Sequence, residues 1–563
     1  MDGLPVRSGF TGQGVPALAG RMMADELLLS GIIRHAARNA GRTEIVARDT
    51  DGSLHRYGYE AAELRTRKLA QALQRLGIRQ GEVIGAMAWS THRFFELFYG
   101  VTGIGAVLHT INPRLFDDQL TYIVDHAEDV MLVVDEETLP LAERLRARLP
   151  RLRQFLFLGP AERMDAGSPL GLVAYEDLLA AEDGDFDWPV LDERSASTIC
   201  YTSGTTGNPK GVVYSHRSTV LSALVISAAD MFGGYREGML ETVMPATPMF
   251  HGNGWQMPFT APLNGHKLVM PGRDFSAAGL HDLIVGEGVT LLGAVPTIWT
   301  QLLDHVKRNG LDFGRLRATH ISGGKPPRSF VEEMERDFGI QVCQCWGMTE
   351  ALGATKASLP PALSPRSFEE RIDGKMRQGR VNFGAELKIV DEDGSELPRD
   401  GQAKGLLLAR GPLIAGSYMK GAGAGGFTAD GWMDTGDIAS LDGDGVVTLH
   451  DRAKDVVKSG GEWISSLDLE NAALTHPDIL QAGVIAVPDP KWQERPLLVV
   501  VVRPGVALDA EAVRGHLATR VARWWLPERI IFADDLPRTG TGKINKVELR
   551  ARHGGGGGAA PSL

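Results

Sequence analysis

Tyr201-Thr202-Ser203-Gly204-Thr205-Thr206-Gly207-Asn208-Pro209-Lys210-Gly211 follows directly on the apolar pair Ile199-Cys200. Its glycines let the backbone approach an anion closely, its hydroxyls and amides can donate to phosphate oxygens, and Lys210 adds a point charge. It is not a Walker A loop. That pattern needs Gly immediately before the Lys and Ser or Thr after it, and here Pro209 and Gly211 stand in those places. A lone Ser-Gly-Thr-Thr-Gly is as good a polar surface turn as a phosphate cradle, but the full string is far more specific.

Outward from this loop the chain alternates. Leu69, Leu73 and Leu76 recur at helical spacing with Gly77 as a C-cap, and Val83 to Met87 reads as a strand. A helix from about Arg93, a strand near Val107, a helix over Asp117 to His126 and a strand over Val130 to Val134 follow. Farther on, Val289 to Ala294 reads as a strand and Pro296 to Val306 as a helix with proline in its first turn. Such alternation predicts parallel sheets covered by helices. From about Phe383 short strands are separated by pairs such as Asp393-Gly394, Asp430-Gly431 and Asp442-Gly443, the sign of hairpins and a small β-layer. After Asp451 the pattern is mixed again, with an apolar strand at Leu497 to Val502.

The expected fold class is therefore α/β. A large N-terminal domain (1–450) combines parallel-sheet α/β subdomains with a small β-barrel-like layer. A hinge at 451–455 leads to a small mobile α+β domain (456–550), and the glycine run Gly554 to Gly558 lies in a flexible tail (551–563).

Composition narrows the function classes. At 563 residues the chain exceeds one hydrophobic core, and 43% hydrophobic with 23% charged residues is globular. A net charge of −11 argues against a broad nucleic-acid footprint, which needs clustered Lys and Arg. Cys200, Cys343 and Cys345 cannot form a disulfide framework and lack zinc spacing. They read as reduced thiols of a cytoplasmic protein, Cys343 and Cys345 on one buried strand face. Met1 to Phe10 has no apolar core and does not read as a secretory signal. Phe94 to Leu108 contains Glu96 and three glycines and falls short of the roughly 20 apolar residues of a membrane span. It reads as a buried helix running into a strand.

Four further segments can carry chemistry. Trp346-Gly347-Met348-Thr349-Glu350 offers a ring for a purine, a hydroxyl for phosphate and a carboxylate for Mg²⁺. Asp437 could grip ribose hydroxyls with Arg452 nearby. Asp451 to Ile464 is a charged junction followed by Gly460-Gly461, a plausible hinge. Pro537 to Lys543 ends a Gly-Thr loop in a lysine that can be delivered to a site. Alone, each reads equally as packing, a turn, a solvated linker or a surface lysine.

Together and in this order the segments resemble the adenylate-forming superfamily of acyl-CoA synthetases, peptide-synthetase adenylation domains and firefly luciferase. The resemblance runs from about residue 30 to 550 and is nearest to medium- and long-chain fatty acyl-CoA synthetases. It implies that Thr202, Ser203, Gly204, Thr205, Thr206, Gly207 and Lys210 hold the phosphates of ATP. Gly323, Gly324 and Lys325 would line the adenine pocket, with Lys325 departing from the usual Ala-like residue and either pointing away or adding a contact. Trp346, Gly347, Met348 and Thr349 would meet adenine and phosphate, and Asp437 with Arg452 the ribose. Lys543, Glu350, Thr205 and Lys210 would be catalytic, with Mg²⁺ on Thr205 and Glu350. Trp255 would gate the acyl tunnel and His251 would lie near the reacting carboxylate, although a satisfied core histidine is a serious rival for His251. Lys454 would be the pivot, and Lys458, Gly460, Gly461 and Trp463 would meet coenzyme A. A homodimer is the assembly the resemblance implies.

The implied activity makes an acyl-adenylate from a carboxylic acid and ATP, then passes the acyl group to coenzyme A. Three alternatives stay open: a carrier-protein thiol as acceptor, an aryl, sulfur-containing or sterol side-chain acid, and a non-catalytic acyl- or nucleotide-binding protein.

Overall fold

The computed structural model describes residues 22–202, 208–228, 240–356, 367–460, 462–538 and 544–554. Two seven-stranded sheets carry most of the N-terminal part. The first runs Leu172–Ala174, Gln154–Phe157, Asp129–Val134, Val83–Met87, Val107–Thr110, Ala196–Tyr201, Gly211–Ser215, all parallel except the last pair. The second runs Gln341–Gln344, Ala318–Ile321, Leu291–Ala294, Thr242–Ala246, Lys267–Met270, Glu44–Arg48, Leu54–Gly58, again parallel but for the last pair. Continuous apolar runs such as VIGAM at Val83–Met87 suit strands buried on both faces.

Between the sheets lies a core that takes Ile84 and Leu108 from the first and Ile45, Leu268 and Met270 from the second. The helix His92–Gly103 runs through it with every residue buried. Gly100 permits this, because a Cβ there would lie 2.5 Å from Leu69 Cδ2 on the helix Tyr59–Arg75. Glu96, fully buried, is compensated by Arg65 Nε at 2.8 Å and the Tyr175 hydroxyl at 2.6 Å, as a buried carboxylate requires. The apolar stretch read as a buried helix running into a strand is therefore that. The strand expected from Val289 begins at Leu291, because the Val289 amide still donates to the Ile284 carbonyl of the preceding helix at 2.9 Å. The strand Gln341–Gln344 buries Cys343 but stops before Cys345, which is half-buried.

The β-layer is a four-stranded antiparallel sheet, Glu386–Val390, Gly405–Arg410, Met433–Leu441 and Val447–Arg452. After it comes a smaller α+β unit. Its strands Glu462–Ile464, Val457–Ser459, Gln493–Val502 and Ile479–Asp489 form one sheet, Arg529–Phe532 adds in parallel to Gln493–Val502, and helices Ser466–Leu474 and Ala510–Ala518 pack on it.

Burial makes the fold acid-sensitive. His216, at the start of the helix His216–Ser227, and His320, in the strand Ala318–Ile321, both have their pKa lowered to about 4 by burial. Both stay neutral in the folded chain while the unfolded chain takes up protons below about pH 6.5. Stability is therefore full above that pH and falls toward pH 4, by about 1.4 kcal/mol per pH unit for each histidine. Urea midpoints at pH 7 and pH 5 measure the loss. His216→Gln should flatten the dependence by one histidine's share, and an equally steep dependence in that variant would contradict the assignment.

Candidate active site

The strands Ala196–Tyr201 and Gly211–Ser215 form a hairpin whose register pairs Tyr201 with Gly211. Beyond that pair the Thr202 amide donates to the Lys210 carbonyl at 2.9 Å, and the Lys210 amide donates to Thr202 Oγ1 at 3.2 Å. The ends of the phosphate-type loop are thus pinned together at the edge of the first sheet. Ser203, Gly204, Thr205, Thr206 and Gly207 lie outside the described residues, as do Gly461 and Lys543.

Lys210 extends its ammonium over the ring of Tyr418, 4.9 Å from the centroid. Gly423 makes room for it, since a Cβ there would sit 2.5 Å from Lys210 Nζ. The Tyr418 hydroxyl donates to Glu350 Oε1 at 2.5 Å. Burial, reinforced by the Glu350 charge, raises the Tyr418 pKa, so this hydroxyl remains a donor. Glu350 is 6% exposed, and its carbonyl accepts from the Ala415 amide at 2.8 Å. One tyrosine thereby brings together two residues that lie far apart in sequence. Tyr418 was not singled out in the sequence, because Gly416-Ser417-Tyr418 sits in an irregular loop with neither periodicity nor a charge to mark it.

Trp346 and Asp437 also converge. The indole N–H donates to Asp437 Oδ2 at 2.9 Å, and Arg452 Nε sits 3.0 Å from Asp437 Oδ1. Arg452 Nη1 donates to the Thr435 carbonyl at 3.0 Å, which fixes the guanidinium. Antiparallel pairing sets this up, because Asp437 and Arg452 are register partners in neighbouring strands of the β-layer. Thr349 offers its carbonyl to the Tyr214 hydroxyl, and Met348 exchanges both backbone hydrogen bonds with Ala351. That turn is tight, since a Cβ at Gly347 would lie 3.0 Å from the Ala351 carbonyl oxygen.

The family model described as AMP-binding enzyme matches residues 32–419, and that of the AMP-binding enzyme C-terminal domain matches residues 468–543. The chain belongs to the AMP-binding enzymes. It is 42% identical over 541 residues to a medium-chain-fatty-acid–CoA ligase of Ectopseudomonas oleovorans, covering 95% of this chain and 98% of that one. It is also 42% identical over 534 residues to a 3-methylmercaptopropionyl-CoA ligase of Ruegeria lacuscaerulensis, again covering 95% and 98%. In fold it is similar to the anthranilate CoA ligase AuaEII solved with anthranoyl-AMP, with a TM-score of 0.81 at 23% identity over 93% of this chain and 97% of that one.

In this AMP-binding enzyme the segment Gly323-Gly324-Lys325 follows the strand Ala318–Ile321, with Gly323 at φ +78°. The ammonium of Lys325 lies 3.6 Å from Asp468 in the first turn of the helix Ser466–Leu474. The rings of Phe250 and His251 meet edge to face at 4.8 Å, and Trp255 follows in the same turn. Lys458 and Trp463 are cross-strand partners, with Lys458 Nζ 3.2 Å from Glu392, while Gly460 at φ +63° lies under the Trp492 ring. Burial lowers the Lys454 pKa, and its carbonyl accepts from Arg550 Nη2 at 3.0 Å. Among the described residues no three His, Cys, Asp or Glu side chains cluster to hold a metal, and no helix is long and apolar enough to cross a membrane.

The Tyr418 bridge is open to test. Tyr418→Phe keeps the ring beneath Lys210 but removes the donor to Glu350, a hydrogen bond to a charge of the kind that contributes about 1.5–3 kcal/mol. ATP consumption should fall at least about tenfold while the melting temperature moves little. Wild-type turnover in the phenylalanine variant would show that the bond is incidental.

Proposed function

We propose that this AMP-binding enzyme is an acid–thiol ligase that joins a medium- or long-chain carboxylic acid to coenzyme A through an acyl-adenylate. The observation that carries the reading is the convergence of Lys210, Glu350 and Tyr418 beside the pinned hairpin, with Glu350 in the same short segment as Trp346 of the Trp346–Asp437–Arg452 cluster. The relatives at 42% identity, named as CoA ligases, support the same reaction.

A carboxylate resists thiols because its charge repels them and oxide is a poor leaving group. Adenylation removes both obstacles. A carboxylate oxygen attacks the α-phosphorus, the new P–O bond forms as the bond to pyrophosphate breaks, and the pentavalent phosphorus carries extra negative charge. Lys210 would stabilise that charge, and Lys543 would supply more at the α-phosphate. Thr202, Ser203, Gly204, Thr205, Thr206 and Gly207 would hold the departing pyrophosphate, and Asp437 would accept from ribose hydroxyls through lone pairs left free by Arg452 and Trp346. The coenzyme A sulfur then attacks the acyl carbon, AMP leaves with the bonding pair, and the thiol proton passes to solvent.

Glu350 fits Mg²⁺, a hard cation that takes one or two carboxylates along with phosphate oxygens. Glu350 is a buried carboxylate held by a neutral hydroxyl, so its charge is not cancelled, and with Thr205 it would hold the ion, which would supply charge neutralisation on the phosphates.

The two steps need different groups at one place, which motivates a pivot at Lys454. Support comes from the anchoring on either side. Arg452 is bound to Asp437, and the Ala453 amide donates to the Gly436 carbonyl at 2.9 Å, which ties both to the β-layer. Asp455 is bound by Arg550 of the helix Lys546–His553 at 2.6 Å. Between them lies one turn, Arg452 to Val456, closed by the Asp455 and Val456 amides donating to the Arg452 carbonyl at 2.9 and 3.0 Å, and a pivot at Lys454 would open it.

Purified enzyme with a fatty acid and ATP should release AMP in a manner that requires coenzyme A. Lys543→Ala should abolish adenylate formation yet leave thioester formation from supplied acyl-AMP largely intact. Equal damage to both steps would refute that division of labour, and no AMP release with any acid would refute the ligase reading itself.

A further inference from the structure

The turn leading into the helix Met257–Leu263 is built from five consecutive residues with positive φ: Gly252 (45°), Asn253 (42°), Gly254 (59°), Trp255 (50°) and Gln256 (65°). Three of these are not glycine, so the surrounding structure must enforce the conformation. It does so from two sides. Asn253 Nδ2 donates to Thr198 Oγ1 at 2.7 Å and Cys200 Sγ donates to the Phe250 carbonyl at 3.3 Å, both on the strand that runs into the phosphate-type loop. Opposite, a Cβ on Gly252 would touch Leu352, two residues beyond Glu350, and the Trp255 ring edge lies 3.7 Å from the Cβ position of Gly293. The turn therefore abuts the site described above.

Within it, polar atoms are buried without partners among the described residues. Gln256 is 1% exposed, yet neither Oε1 nor Nε2 has a hydrogen bond. Asn253 is fully buried with Oδ1 unpaired. Thr260, whose amide donates to the Gln256 carbonyl at 2.9 Å, is fully buried with Oγ1 unpaired. An orphan buried amide is unfavourable, and methionine would fill the same volume without that penalty. A glutamine there, next to Trp255, which the resemblance makes the gate of the acyl tunnel, points to a polar group that arrives with the substrate.

We propose that Gln256 is a specificity-determining residue of the acyl site, its amide pairing with a hydroxyl or carbonyl oxygen on the chain of the incoming acid. A primary amide both donates and accepts, so it can satisfy a hydroxyl in both senses. The inference rests on the acyl-CoA ligase reading. The rival occupant is a resident water, which would bind these atoms whatever the acid.

The test compares kcat/KM, from coenzyme A-dependent AMP release, for matched pairs of straight-chain acids of equal length with and without an ω- or mid-chain hydroxyl. The wild-type enzyme should favour at least one hydroxylated acid over its plain partner. Gln256→Met should lower that ratio about tenfold, the scale of one neutral hydrogen bond left unmade, chiefly by slowing the hydroxylated acid. Gln256→Glu, which keeps an acceptor, should retain part of the preference. A ratio unchanged within twofold in Gln256→Met, or a wild-type enzyme with no preference for any hydroxylated acid, overturns the proposal. Should Gln256→Met fail to fold, the wild-type ratios and Gln256→Glu decide. Absence of AMP release from every acid would instead sink the ligase reading, and this inference with it.

Discussion

The burial of Asp437 constrains much of the architecture around the candidate active site. At 5% exposure a carboxylate is tolerable only when opposing groups surround it. Arg452 and the Trp346 indole supply them from two different segments. Arg452 comes from the last strand of the β-layer, immediately before the junction to the C-terminal unit. Trp346 comes from just beyond the edge strand of the second parallel sheet. Satisfying one charge thus fastens the β-layer to the segment that leaves the second parallel sheet and fixes Arg452, two residues before the proposed pivot Lys454.

A similar economy holds in the N-terminal core. Arg65 reaches Glu96 and Glu176, while Arg93 reaches Glu176 and Asp49. Each arginine joins elements that are separate in sequence, and each carboxylate is removed from water only where a guanidinium meets it. These networks orient the helices Tyr59–Arg75 and His92–Gly103 against each other and against the segment that carries Glu176.

Much of the scaffold was legible because burial imposes a pattern. Val83 to Met87 is apolar throughout, for a strand covered on both faces has no polar side to show. Leu69 and Leu73 repeat at helical spacing because one face of the helix Tyr59–Arg75 meets the core. The loop from Thr202 to Lys210 stood out because phosphate demands a rare local combination of residues. Tyr418 and Gln256 were not legible. Their meaning arises where distant segments meet: a tyrosine matters when it touches Glu350 and Lys210, and a glutamine when no described residue hydrogen-bonds its buried amide. Asp437 was an intermediate case, an ordinary turn residue until resemblance paired it with Arg452. Lys325 could be flagged as a departure, but only the approach of Asp468 gives it a partner.

The partners of the charged groups separate scaffold from site. Lys546 lies 2.8 Å from Glu470, and Lys267 lies near both Glu44 and Glu287, so these charges are cancelled locally. Lys210 makes no ion pair among the described residues; its ammonium rests on an aromatic face. A ring quadrupole steadies a cation without neutralising it, so the full charge stays available to an incoming anion. Glu350 is treated alike, since its partner is a neutral hydroxyl rather than a lysine or arginine. Tyr418 is that neutral partner for both. Had Lys210 and Glu350 paired directly, their attraction would have stabilised the resting enzyme and been lost each time ATP bound. Holding both through one uncharged residue keeps opposite charges close and unquenched, which is the condition a site for a magnesium-bound polyphosphate must meet.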